Sequence, residues 1–193
     1  MRIFSSLYAH VMRWSAHPRA VWFLGGLSFA ESSFFPIPPD VMLAPMALAR
    51  REAAWRYAAV ASVASVLGGL FGYLIGMFAF ELIEPWLRQT DYWSNYLTAK
   101  TWFETYGVWI VFIAGFSPVP YKVFTITAGV VAMSLPGFLL ASFIGRGARF
   151  FLVAGLMVAG GARMEKILRT YIDVLGWLIL LIALFWYLIH RYY

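Results

Sequence analysis

From Tyr57 to Phe80 the chain runs twenty-four residues without a charged side chain. A ~30 Å hydrocarbon core is crossed by about 20 apolar residues in a helix. The rest of the chain matches this run, with 62% of its 193 residues apolar and 12% charged. Soluble domains average about 45–50% and about 25%. That balance excludes a water-soluble globule. It also excludes a disordered chain, which needs low hydrophobicity and high net charge. The reading is an all-α integral membrane protein, a single membrane domain over residues 1–193.

Two other stretches approach spanning length. Gly137–Ala162 is apolar apart from Arg146 and Arg149, and Val174–Ile189 is carried into an interface by Trp186, Tyr187, Tyr192 and Tyr193. The remaining apolar runs are too short and come in pairs. Ala20–Ala30 stops at Glu31, and Val41–Ala49 follows a proline cluster. Val108–Phe116 stops at Ser117-Pro118-Val119-Pro120, and Val123–Leu135 follows it. Each pair is either one kinked span or two half-length helices folded back as a re-entrant hairpin. Pro36, Pro38 and Pro39 remove three backbone donors within four residues, and prolines bias their predecessors away from the helix. The hairpin is favoured, with Pro118 and Pro120 turning the second. Irregular backbone at membrane depth persists only where it is buried in protein or lines a wet cavity. Two such tips therefore predict an internal polar site.

The tips resemble one another. Phe35-Pro36-Ile37-Pro38-Pro39-Asp40-Val41 and Ser117-Pro118-Val119-Pro120-Tyr121-Lys122-Val123 share the order Pro-aliphatic-Pro, then a charge and valine, at an offset of 82. Each hairpin precedes a span, so residues 20–80 and 107–162 form a tandem repeat of hairpin plus span. The single span between the hairpins inverts the second copy, and residues 171–190 add a C-terminal span. Inverted repeats with broken helices are a transporter architecture. Small residues line both repeat spans: Ser65, Gly68, Gly69, Gly72 and Gly76 in the first, Ala141, Gly145 and Ala148 in the second. Such ridges let another backbone approach closely.

The basic residues give the orientation. If the first hairpin enters and leaves on one side, that side holds nine: Arg2, Arg13, Arg19, Arg50, Arg51, Arg56, Arg163, Lys166 and Arg169. The other holds Arg88, Lys100 and Arg191. Positive charge marks the cytoplasmic side, so the N-terminus and the first hairpin's opening are cytoplasmic and the second hairpin opens outside. The net charge of +6 thus reports topology and calls for no nucleic acid. Residues 85–106 are too polar to span. Trp86, Trp93, Tyr96, Leu97 and Phe103 recur at helical spacing and predict an amphipathic helix on the outer interface. The stretch before Ala20, anchored by Trp14 and Trp22, reads similarly.

Glu31, Asp40, Lys122, Arg146 and Arg149 fall within or at the ends of apolar stretches. Each costs about 2.5–3.5 kcal/mol at mid-bilayer on insertion scales, which marks it as a functional candidate. Lys122 opens a half-helix, where a cation is disfavoured and an anion welcome. Asp40 holds the matching place in the first tip, and the repeat predicts that the two pair. Arg146 and Arg149, three apart, share a helix face and are candidates to hold a phosphate. Glu31 is the candidate proton carrier, because removal from water favours a carboxylate's neutral form. Ser32, Ser33, Ser117, Thr125 and Thr127 are expected to bond local backbone or cap the half-helices. His10, His17 and His190 stand apart, cysteine is absent, and no catalytic or phosphate-cradling motif occurs. No enzyme, metal site or cofactor is expected.

Phe103-x2-Tyr106-Gly107, then Gly115-Phe116-Ser117-Pro118-Val119-Pro120-Tyr121-Lys122-Val123-Phe124 and Gly129, resemble the DedA family of the VTT-domain (SNARE-associated Golgi protein) superfamily. The Pro-Tyr-Lys-Val-Phe form is similar to its YqaA-like branch, and Glu31 through Asp40 resembles the family's acidic proline hairpin. The resemblance implies paired re-entrant hairpins, a bacterial inner-membrane location and translocation of undecaprenyl phosphate or phospholipids, often driven by proton motive force. The family's usual arginine pair at the second tip is here reduced to Lys122, unless Arg146 or Arg149 compensates.

The expectation is a flippase or scramblase for a membrane lipid with an anionic phosphate head group. Lys122, Arg146, Arg149 and Ser117 would bind substrate, and Glu31 and Asp40 would couple or gate protons. A proton-coupled transporter of a small ion or solute, and a membrane-organising protein that transports nothing, are the alternatives. Homo-oligomerisation is left open.

Overall fold

The computed structural model of the chain describes residues 19–35, 37–90, 92–117 and 119–161. The expected C-terminal span, the stretch before Arg19 and the turn prolines Pro36 and Pro118 lie outside them. The described residues form helices α1 (Ala20–Ser33), α2 (Asp40–Ala49), α3 (Ala54–Leu87), α4 (Tyr92–Phe116) and α5 (Tyr121–Val130), then α6 (Leu135–Gly161). No strand occurs among them. A 3-10 turn, Arg51–Ala53, leads into α3. Counted with that turn, α3 and α6 are the two helices long and apolar enough to cross a membrane.

The prolines break the chain where expected. α1 ends at Ser33, three residues before Pro36, and α2 starts directly after Pro39, whose φ of −66° already suits a helix. Pro120, with φ of −62°, precedes α5 in the same way. The far end of α5 closes in a Schellman motif: the Met133 N–H donates to the Ala128 carbonyl at 2.9 Å and the Ala132 N–H to that of Gly129 at 3.0 Å. Ala132 takes the left-handed conformation (φ 52°) that this motif usually gives to glycine.

The offset of 82 organises the structure. Added to Asp40 and Ala54, the starts of α2 and α3, it gives 122 and 136; α5 and α6 start at Tyr121 and Leu135. Two apolar clusters separate the ends. One joins both arms of the first break (Ala20, Leu24, Leu43, Met46) to the start of α3 (Tyr57, Ala58, Ala61) and the end of α6 (Phe150, Ala154, Met157). The other joins both arms of the second break (Val111, Ala114, Ala128) to the far half of α3 (Tyr73) and the start of α6 (Phe138, Ala141). α3 and α6 therefore run antiparallel. Both arms of each break feed one cluster.

The small-residue ridge does what its spacing predicts. A Cβ on Gly68 would overlap the Phe29 carbonyl of α1, and one on Gly76 the Ile126 carbonyl of α5. A Cβ on Gly72 would sit 2.5 Å from Thr125 Oγ1. On α6, a Cβ on Gly145 would come 2.6 Å from the Phe112 carbonyl oxygen. α3 is thus a spine against which α1 and α5 lie at backbone distance.

One expectation is corrected. Residues 85–106 are not a separate helix. α3 continues to Leu87, and after a short turn Tyr92–Phe116 is one 25-residue helix that absorbs the half-helix expected from Val108. No proline interrupts it. Gly107 does not break it because a packing partner is present: its missing Cβ leaves room for Met133, whose sulfur would lie 3.1 Å away. Tyr96 stacks between Phe80 and Trp93 at 4.6 and 5.1 Å, tying α4 to the end of α3.

Candidate functional site

Between the two apolar clusters lies a polar layer. Its buried members are Ser28, Glu31, Ser32, Ser33, Ser62, Ser65, Thr125, Ser142 and Arg146. Helix periodicity builds it: Ser62, Ser65 and Gly69 fall on one face of α3, and Ser142, Arg146 and Arg149 on one face of α6. α1 delivers Glu31, Ser32 and Ser33 in its last turn.

Arg146 and Glu31 form the innermost ion pair. Arg146 Nη2 donates to Glu31 Oε2 at 2.5 Å, and Arg146 Nε to Ser65 Oγ at 2.6 Å. Ser65 shares a hydrogen bond of 2.6 Å with Ser32, whose hydroxyl also donates to Glu31 Oε2 at 3.2 Å. The guanidinium carbon lies 5.0 Å from the Tyr121 ring centre and 4.7 Å from that of Phe150, a cation–π clamp. Tyr121 in turn donates to Ser142 Oγ at 2.5 Å. The two charged side chains are 3% and 11% exposed. A charge buried this deeply persists only when paired and hydrogen-bonded, and here it is.

The second pair sits at the tips. Arg149 Nη2 donates to Asp40 Oδ2 at 2.5 Å, and its Nη1 to the Ser117 carbonyl at 2.6 Å and the Phe116 carbonyl at 3.4 Å. One side chain thus ties the first tip, through Asp40, to the second, through the end of α4. Lys122 makes the reciprocal link, donating from the second tip to the Phe34 carbonyl at the end of α1, 3.3 Å away. Both cations rest on the carbonyl ends of helices, where the macrodipole is negative.

The expected Asp40–Lys122 pair is therefore absent. Asp40 faces Arg149, and among the described residues Lys122 makes no ion pair. The dipole argument considered only the helix that Lys122 begins; the terminus of α1 opposite supplies the negative field instead. The hydroxyls also differ from expectation. Thr125 Oγ1 donates to the Ser32 carbonyl at 3.2 Å, and Ser33 Oγ to the Gly68 carbonyl at 2.9 Å. They cross-link helices as well as bonding their own, and none caps the start of α1, α2 or α5. Ser117 takes part through its carbonyl. Ser65, Tyr121 and Ser142 belong to the network without having been singled out as polar partners. Ser65 lies three residues before Gly68, so the ridge already put it on the α1-facing side.

Two helices of spanning length and a buried polar layer of charge pairs are the make-up of a helical membrane protein. The chain belongs to the DedA family: the VTT domain model matches residues 35–160. It is 44% identical to an uncharacterized protein of Haemophilus influenzae over 98% of both chains. It is 45% identical to an uncharacterized protein of Histophilus somni over 98% of this chain and 99% of that one. Undecaprenyl phosphate transporter A of Staphylococcus aureus is 35% identical over 92 residues, 45% of each chain. No solved structure matches the chain significantly.

Proposed function

We propose that this protein is a transporter that moves a lipid with an anionic phosphate head group, undecaprenyl phosphate or a phospholipid, across the bacterial inner membrane. The observation that carries the reading is the pair of partly exposed cations at the tips. Lys122 and Arg149 each reach from one hairpin or span to the other hairpin's end, in the layer between two apolar halves. With α3 and α6 crossing the bilayer, both hairpins are re-entrant and the tips meet near mid-depth. A head group there exchanges water for two cations, and its tails stay in lipid. Arg149 supplies the second cation that the tip motif lacks beside Lys122. Arg146, committed to Glu31 and Ser65, supports the site from behind. Glu31 and Asp40 are the carboxylates that would load and release protons, coupling transport to the proton gradient. The basic residues put the first hairpin's opening and the N-terminus on the cytoplasmic side. The partial likeness to a protein named for undecaprenyl phosphate transport supports this substrate class.

The test is reconstitution into proteoliposomes holding a phosphate-bearing lipid on the inner leaflet, with its appearance outside followed by an impermeant phosphatase. Transfer faster than in protein-free vesicles, lost in Lys122→Met and Arg149→Gln proteins of matched melting temperature, is expected. Transfer no faster than in protein-free vesicles would overturn the reading.

A further inference from the structure

The two ion pairs differ in completeness. Glu31–Arg146 leaves no buried polar atom without a partner. Asp40–Arg149 leaves two: Asp40 Oδ1 and Arg149 Nε are both buried and unpartnered among the described residues. Their side chains are 23% and 17% exposed, against 11% and 3% in the inner pair. An unmet donor and an unmet acceptor in one ion pair make it the weaker closure, since each carries an uncompensated desolvation cost. A guanidinium also has a fork of donors suited to a second tetrahedral or planar anion. In Arg149, Nη2 is spent on Asp40 and Nη1 on the Ser117 carbonyl, while Nε is unused.

We infer that Arg149 is an exchangeable cation: a phosphate group displaces Asp40 from it, taking Nε and Nη2 together while Nη1 keeps the Ser117 carbonyl. The inference rests on the phosphate-lipid reading and assigns its competitor. Asp40 is then a resident stand-in for the ligand. Its release is a structural step as well as a chemical one, because Asp40 begins α2 and Arg149 holds α2 against the end of α4. Phosphate binding therefore releases α2 from the end of α4 while Lys122 keeps its own link between the tips, to the Phe34 carbonyl. The inner pair, met on all sides by Ser32, Ser65 and the two aromatic rings, stays closed.

An acid that competes with the ligand has an unusual signature: removing it improves binding, which loss of a structural contact would not do. The purified full chain in detergent is titrated with phosphatidic acid, with diacylglycerol as the uncharged control, by tryptophan fluorescence or native mass spectrometry. Asp40→Asn should bind phosphatidic acid roughly tenfold more tightly, the gain expected if Asp40 occupies Arg149 about nine-tenths of the time. Asp40→Ser gives the same comparison should the amide fail to fold. Arg149→Gln should abolish the response, and Gly26→Ala, which meets open space, should bind as the parent does. Inorganic phosphate is added as a competitor. If it displaces the lipid, the exchange involves the head group alone; if it does not, the exchange needs the lipid. Either result supports the exchange. Unchanged or weaker binding in both folded Asp40 variants, or parental binding by Arg149→Gln, would overturn it. Failed vesicle transport with this binding pattern intact would sink the transporter reading and leave the exchange standing. The reverse outcome would sink the exchange alone.

Discussion

Arg146 and Arg149 lie three residues apart on one helix, yet one is sealed and the other is not. Their shared face was readable from spacing. Their partners were not, because Glu31 and Asp40 are 115 and 109 residues away and only the packing of α1 and α2 beside α6 chooses between them. Removing one member of a buried pair strands the other charge and costs about 3–5 kcal/mol. Glu31→Gln and Arg146→Gln should each lose stability on that scale in a detergent unfolding titration. The double variant should recover much of the sum, since contacting residues do not add. The cycle for Asp40 and Lys122 should add within about 0.5 kcal/mol. Strong coupling between Asp40 and Lys122 would mean the pairing at the tips is misassigned. The misreading of Lys122 shows what a local rule omits: its own helix start repels it, but the end of α1 across the tip was invisible to any argument confined to one helix.

At the level of elements, proline and glycine carried most of what could be read in advance. Pro36 to Pro39 and Pro118 to Pro120 fixed both breaks because a missing N–H and a locked φ act within a residue or two. The Gly68, Gly72 and Gly76 spacing predicted close approach, and α1 and α5 supply the backbones. Gly107 lies inside α4 without breaking it, since a helix tolerates glycine when a neighbour uses the space. Gly129 gives a sharp test: its Cβ would overlap the Tyr73 carbonyl on α3, whereas a Cβ on Gly26 meets nothing within 4 Å. Gly129→Ala should cost about 1–3 kcal/mol through overpacking, while Gly26→Ala should melt at or slightly above the parent temperature. Equal melting temperatures would contradict the α3–α5 contact. Ala132 offers the opposite sign. A left-handed conformation costs an ordinary residue about 1–2 kcal/mol, and glycine's extra freedom in the unfolded chain returns about 0.5–1 kcal/mol of that. Ala132→Gly should therefore raise stability by up to about 1 kcal/mol, read in the same titration; a fall would mean that the Schellman motif at the end of α5 is wrongly drawn.

Across the whole molecule, an offset of 82 read from seven residues carries the starts of α2 and α3 to within one residue of those of α5 and α6. The offset holds because in each half a short helix starts directly after a proline and a long helix starts at the same distance beyond it, Asp40 to Ala54 and Tyr121 to Leu135. What it did not foretell is the cross-wiring: each apolar cluster takes one end of the other copy's span, Lys122 bonds the carbonyl end of α1, and Arg149 bonds Asp40 at the start of α2. That exchange is what makes one polar layer out of two half-sites. It also makes the transport reading depend on hairpins that return to the side they came from. The chain contains no cysteine, so single cysteines at Arg19, Arg50, Tyr106 and Ser134 report topology directly through an impermeant maleimide applied to intact spheroplasts. The account predicts that Tyr106→Cys and Ser134→Cys label from outside, while Arg19→Cys and Arg50→Cys label only after permeabilisation. Labelling of Arg19→Cys and Arg50→Cys from opposite sides would make the first hairpin a full span, and the tips could not meet inside the membrane.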